Sequence, residues 1–230
     1  MDYGKPFTFM FEDRDWVAKI LIGALFVFLS IFLVGIPFVL GYGIEVIRRV
    51  AAGRDEVLPA WDDLGDKFVQ GLILLVIGFI FSLPGLLLSG CSSLFLRSLA
   101  DATRNDAGSA FFALVIFFAN ALVALYSLII SLLTPAIAIR YAMTRDFGAA
   151  FNLSALWRII NANLGAYILV LILSWVASVI AGLGVIVCVI GVFFTAFWSV
   201  LVTAHLSGQY YRNFLSGTPP MTVEPGAPAF

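Results

Sequence analysis

Residues 164–211 read LGAYILVLILSWVASVIAGLGVIVCVIGVFFTAFWSVLVTAHLSGQYY, 48 residues without one Asp, Glu, Lys or Arg. About 20 apolar helical residues, each rising 1.5 Å, cross a hydrocarbon core of about 30 Å. The stretch is therefore too long for one span and long enough for two, and Gly182-Leu183-Gly184 near its middle suits a tight turn between them. Three further charge-free stretches precede it: Ile20 to Ile44 (25 residues), Phe68 to Leu96 (29) and Ala107 to Ile139 (33). The last two are each read as one generous span.

Composition agrees with that reading. Of the 230 residues 62% are hydrophobic and 12% charged, against about 45–50% and about 25% in soluble domains. With a mean hydropathy of +1.05 the chain carries more apolar surface than a sphere of its size can hide from water. Thirteen basic residues face 14 acidic ones with no basic run, which excludes a nucleic-acid binder as well as a disordered chain. The fold expected is all-α, a polytopic integral membrane helical bundle whose solvent and partner is the lipid bilayer.

The first stretch decides how many spans there are. Gly35-Ile36-Pro37 interrupts it, and proline removes a backbone donor while disfavouring helix in the residue before it. Either Pro37 kinks one long helix or the chain turns there into a short second span, crossing or re-entrant. Cytoplasmic loops carry the basic excess. A hairpin gives six spans with both termini cytoplasmic, and it places 11 of the 13 basic residues inside, with only Arg97 and Arg104 outside. A single kinked helix with its N-terminus inside instead exposes Arg48, Arg49, Arg54, Lys67, Arg140, Arg145, Arg158 and Arg212. The hairpin is preferred, in a cell membrane. Residues 1–216 are read as one transmembrane domain, and residues 217–230, rich in Pro, as a flexible tail.

Two polar-flanked segments read as interfacial helices. Leu94 to Arg104 sets Phe95, Leu96, Leu99 and Ala102 opposite Arg97, Asp101 and Arg104, and Ala149, Leu153, Leu156, Trp157 and Ile160 form an apolar stripe opposite Ser154, Arg158 and Asn161. Trp16, Trp61 and Trp157 fit an aromatic belt as interface anchors. The run Thr103 to Phe111 echoes Thr144 to Phe151, which an inverted repeat or a coincidence of boundary residues would produce.

Three polar residues in or near spans are candidates for function. Glu45 is an intramembrane carboxylate, a functional-site hypothesis by default, yet Arg48 and Arg49 follow at ion-pair spacing and a structural pair is favoured. Asn120 is expected to bond between helices. His205, the only histidine, has no metal-ligand partner within a turn and is read as a hydrogen-bonded interfacial residue. The sequence calls for no metal, cofactor or catalytic residue. Cys91 and Cys188 are expected to stay unpaired, because a disulfide needs Cα atoms within about 7 Å. Leu88-Ser89-Gly90-Cys91 spells a lipobox far from the N-terminal position that motif requires, and no cleavable signal is evident.

Several motifs together resemble a known family. They are Phe9-Met10-Phe11-Glu12-Asp13-Arg14-Asp15-Trp16, Gly41-Tyr42, Leu58-Pro59-Ala60-Trp61-Asp62, Arg140-Tyr141-Ala142 and Gly208-x-x-Tyr211-Arg212. The combined pattern is similar to a domain-of-unknown-function family of multi-pass membrane proteins in archaea and bacteria. The resemblance implies a multi-pass helical bundle and transfers no activity. It also implies that Leu-Pro-x-Trp-Asp is a structural turn, with Asp62 or Asp63 capping the next helix. The functional expectation is a non-catalytic membrane component, an accessory subunit or scaffold packing with lipids, other membrane proteins or itself. The alternatives are a small-molecule or lipid transporter, motivated by breaks at Gly35–Pro37 and Pro84-Gly85, and an intramembrane enzyme using Glu45 and His205.

Overall fold

The computed structural model describes residues 1–102, 106–187 and 190–217. They form α1 (Lys5–Thr8), α2 (Trp16–Leu29), α3 (Gly35–Ala51), α4 (Leu64–Ala102), α5 (Asp106–Thr144), α6 (Leu153–Ala162), α7 (Leu164–Val187) and α8 (Gly191–Phe214), with 3-10 turns at Phe9–Glu12, Ser30–Phe32 and Gly148–Phe151. Among the described residues there is no strand. Four segments are long and apolar enough to cross a bilayer: Leu64–Gly90, Ala110–Thr144, Leu164–Ile186 and Gly191–Phe214. The chain gathers into two compact units, Met1–Leu75 with Pro135–Phe230, and Val76–Thr134. The expected tail, beyond Gly217, lies outside the described residues.

The first unit begins with a helical hairpin where the sequence left a choice. α2 ends in the 3-10 turn, Leu33 takes a left-handed φ of 67°, and α3 starts at Gly35 with Pro37 in its first turn, where a missing N–H costs nothing. That α2 and α3 run antiparallel follows from their ends. Lys19 near the start of α2 and Arg49 near the end of α3 both donate to the Leu58 carbonyl, at 3.1 and 3.5 Å, and Phe26 stacks on Phe38 at 4.5 Å near the turn. At 14 and 17 residues both helices fall short of the four long ones. The segments expected as the first two of six spans are thus short helices that stand outside those four, because the turn consumes Ser30 to Val34.

α7 and α8 form the other hairpin of this unit. Tyr210 near the end of α8 donates to the Ile159 carbonyl just before α7 at 2.7 Å, and Thr195 near the start of α8 donates to the Ala181 carbonyl in α7 at 2.8 Å. The turn expected at Gly182–Gly184 lies further on: both glycines are inside α7, which runs to Val187. A Cβ on Gly184 would collide with the Thr195 hydroxyl, so that glycine serves helix contact.

Close contact is what holds helices together in lipid, where apolar surface alone gives no drive to associate. α3 crosses α4 where neither has a side chain: a Cβ on Gly41 would strike the Lys67 carbonyl oxygen and one on Gly71 the Pro37 carbonyl oxygen. α8 approaches α3 through Gly208, whose added Cβ would sit 2.6 Å from Val50 Cβ. Around these crossings Ile44, Val46, Phe197, Leu201 and Leu206 are fully or almost fully buried.

Within the second unit α4 and α5 meet at Tyr126, whose hydroxyl donates to the Phe81 carbonyl at 2.6 Å and whose ring lies against Gly85. Pro84 does not break the helix, contrary to the expectation that made this a transporter-like interruption; α4 is continuous to Ala102. The expected separate interfacial helix at 94–104 is its last turns, with 103–105 outside the described residues. Of the echo, Asp106–Phe111 opens α5 while Gly148–Phe151 is a 3-10 turn, so the described parts do not share a conformation.

Candidate functional site

The charged groups of the first unit collect at one end, where α3 finishes, α4 starts, α5 finishes and α8 finishes. A cleft of about 580 Å³ there is lined by Glu45, Arg48, Arg49, Arg54, Asp62, Asp63, Asp66, Lys67, Arg145 and Tyr211, among others. Glu45 is its hub. One carboxylate oxygen accepts from Arg49 Nε and Nη2 at 3.1 and 2.8 Å, and the other lies 3.0 Å from Lys67 Nζ. Lys67 is 5% exposed and also donates to the Asp62 carbonyl at 2.7 Å. Arg48, the other expected partner, faces the cleft without pairing to Glu45. A second chain runs from Arg145 to Asp66 (3.3 Å), from Gln70 to Asp66 (3.3 Å) and from the Tyr141 hydroxyl to Gln70 Oε1 (2.8 Å).

The loop before α4 is stapled from several sides. The Tyr42 hydroxyl donates to the Pro59 carbonyl at 2.9 Å, Trp61 Nε1 to the Lys19 carbonyl at 2.8 Å, and Lys19 pairs with Asp13 at 2.6 Å. Trp61, half-buried, stacks on Tyr42 and Phe26 at 4.4 and 4.8 Å. Neither Asp62 nor Asp63 caps α4 with its carboxylate. Asp63 instead takes a φ of 47° and its backbone carbonyl receives Lys67 N.

The remaining candidates are occupied too. His205 is 2% exposed, stacks on Phe9 at 4.4 Å, and its Nδ1 lies 3.3 Å from Gln209 Nε2, while Gln209 Oε1 accepts from the Asp2 amide at 3.1 Å. It fastens the N-terminal segment to α8. The Asp2 carboxylate receives the Gly4 and Lys5 amides, and the Lys5 and Gly4 bonds hold it below the ordinary carboxylate range. Asn120 bonds to the Ile116 carbonyl of its own helix at 2.8 Å and is exposed, so it makes no bond between helices as expected. Trp157 is exposed on α6, and Trp16 is half-buried with Phe11 edge-on at 4.9 Å. Among the described residues no group of three His, Cys, Asp or Glu could hold a metal ion. Cys188 and the side chain of Cys91 lie outside the described residues.

Sequence reasoning missed the tyrosines. Tyr42, Tyr141, Tyr167 and Tyr210 are all fully buried with their hydroxyls engaged, Tyr167 receiving the Ala136 amide at 3.2 Å. That amide directly follows Pro135, where α5 lacks a donor. The motifs Gly41-Tyr42 and Arg140-Tyr141 mark two of them, but the acceptors Pro59 and Gln70 are not adjacent in sequence. Arg140 was missed as well. It is 4% exposed and its Nε bonds to nothing.

A family model described as a protein of unknown function, DUF4013, matches residues 24–190. The chain belongs to the DUF4013 family. No curated protein and no solved structure matches it. The segment shared with DUF4013 holds Glu45, Lys67, Asp66, Tyr141, Arg140 and α6. His205 lies beyond it. Most of the polar end therefore lies within the matched segment, whereas Tyr211 and the fastening of Asp2 to Gln209 lie outside it.

Proposed function

We propose that the protein is a non-catalytic component of the cell membrane, an accessory subunit or scaffold, with both termini cytoplasmic. The observation that carries this reading is the state of the three polar candidates. Glu45 is countered by Arg49 and Lys67, Asn120 is bonded within its helix, and His205 is closed between Phe9 and Gln209. A transport or acid–base site needs a polar group free to meet a substrate, and each of these is already engaged by another group of the chain. Orientation is supported by the 11 to 2 division of basic residues and by the pairing of Asp2 with Gln209, which sets the N-terminal segment beside the end of α8.

Purification of the full chain from its native membranes in mild detergent, followed by native mass spectrometry, tests the role. The expected result is a stoichiometric complex with a second membrane protein that survives Glu45→Gln. A chain recovered without protein partners, and reconstituted vesicles whose solute flux is abolished by Glu45→Gln, would replace this reading by the transporter.

A further inference from the structure

We propose that Arg140 and Arg158 form a binding site for a phosphate group, supplied by the headgroup of an anionic lipid. Arg140 lies in the last turns of α5, in the first unit. Arg140 is 4% exposed, its Nε is sealed and unbonded, and it makes no ion pair among the described residues. Several other cations of this unit are paired, while Arg48 lines the open cleft unpaired to Glu45. Lys67 and Arg49 share Glu45, Arg145 has Asp66, and Lys19 has Asp13. An almost wholly buried arginine with a sealed, unbonded nitrogen and no ion pair among the described residues is costly to retain, and its retention points to a partner from outside the chain.

The charge around it specifies that partner. The groups acting on Arg140 are Arg158 of α6, Asp146 in the preceding loop, and Tyr211 of α8. Asp146 is already the acceptor for the Gly148 amide at 2.9 Å. Two cations and one carboxylate leave one positive charge. A phosphodiester carries one negative charge, and its paired oxygens suit the flat fork of arginine.

α6 sets the depth. Its Ala155, Leu156, Ile159 and Ile160 are buried in the unit, while Leu153 and Trp157 remain 62% and 63% exposed beside the exposed Arg158. An amphipathic helix with tryptophan and leucine facing outward next to arginine lies at the headgroup level. A lipid phosphate is therefore at hand at the level of Arg158, whose charge is the strongest of those acting on Arg140. The lipid source rests on the membrane reading above; the phosphate chemistry does not.

The test uses delipidated full-length protein in neutral detergent, titrated separately with phosphatidylglycerol, phosphatidylcholine and inorganic phosphate, and read by native mass spectrometry and thermal melting. Phosphatidylglycerol is expected to bind in preference to phosphatidylcholine, with affinity reduced about tenfold in Arg140→Gln and about threefold in Arg158→Gln. Arg14→Gln, at an exposed arginine outside the cleft and the proposed site, is expected to bind as wild type. Should Arg140→Gln fail to fold, Arg140→Lys and Arg158→Gln carry the comparison. Arginine-dependent binding of inorganic phosphate without lipid binding would keep the site and assign it to the free anion. Equal phosphatidylglycerol binding by wild type and both arginine variants would overturn it. Recovery of the chain in the soluble fraction would overturn the membrane reading, a result separate from either binding outcome.

Discussion

Both units are built from apolar helices that return small hydroxyls to their own carbonyls, but they differ in how their larger polar side chains are used. In the second unit Ser82, Asn120, Ser127, Ser131 and Thr134 each bond to a carbonyl of their own helix three or four residues back. Tyr126 there bonds across to the Phe81 carbonyl. In the first unit Ser30, Thr144, Ser178 and Ser207 bond within their helices, whereas Tyr42, Tyr141, Tyr210, Trp61 and Lys67 all bond between segments. A hydroxyl returned to its own helix makes that helix acceptable to lipid and leaves it uncommitted to a neighbour. A hydroxyl spent on another segment fixes an arrangement. The second unit thus presents Phe111, Leu114, Phe117, Phe118 and Leu122 outward, while the first closes over its tyrosines.

The contrast is broken most severely at a helix crossing. Gly41→Leu drives a side chain into the α4 backbone and is expected to cost at least about 3 kcal/mol, seen as loss of the monodisperse folded species in detergent. In the second unit nothing approaches Gly78, and Gly78→Leu should stay within about 0.5 kcal/mol of wild type in the same assay. If the two behave alike, glycine contact is not what distinguishes the units.

Removing the hub charge comes next. Glu45→Ala strands the buried Lys67 and part of Arg49, and a loss of about 3 kcal/mol is expected by thermal or chemical unfolding. A smaller step is Tyr210→Phe, which leaves the Ile159 carbonyl without that donor and should cost about 1 kcal/mol. Asn120→Leu, which removes only an intrahelical bond, should change stability by less than about 0.5 kcal/mol. One substitution is expected to give a gain. Leu33 sits at a left-handed φ and is exposed, so Leu33→Gly should raise stability by up to about 1 kcal/mol.

What could be read in the sequence follows from the same distinction. Span length depends on uninterrupted apolar residues, so α4, α5, α7 and α8 were legible from charge-free stretches alone. The hairpin at Gly35–Pro37 was legible because basic residues flank it on both sides. Gly182 and Gly184 misled, since a glycine that turns the chain and a glycine that admits a neighbour look the same in one dimension. The segment 94–104 misled because amphipathic spacing does not by itself end a helix, and nothing between Leu96 and Ala102 does. The polar end was only half legible. Glu45 and Arg49 are one turn apart, but Lys67, Tyr141 and Arg140 join that end of the unit through the fold.

Cysteine accessibility tests the central claim, a bundle whose α2–α3 hairpin returns the chain to the side it started from. In a background lacking Cys91 and Cys188, single cysteines are placed at Asp55, after α3, at Asp146, after α5, and at Leu33, in the hairpin turn. The account predicts that in intact cells an impermeant maleimide labels the Leu33→Cys variant, and that Asp55→Cys and Asp146→Cys react only after permeabilisation. Labelling of Asp55→Cys or Asp146→Cys from outside would contradict it.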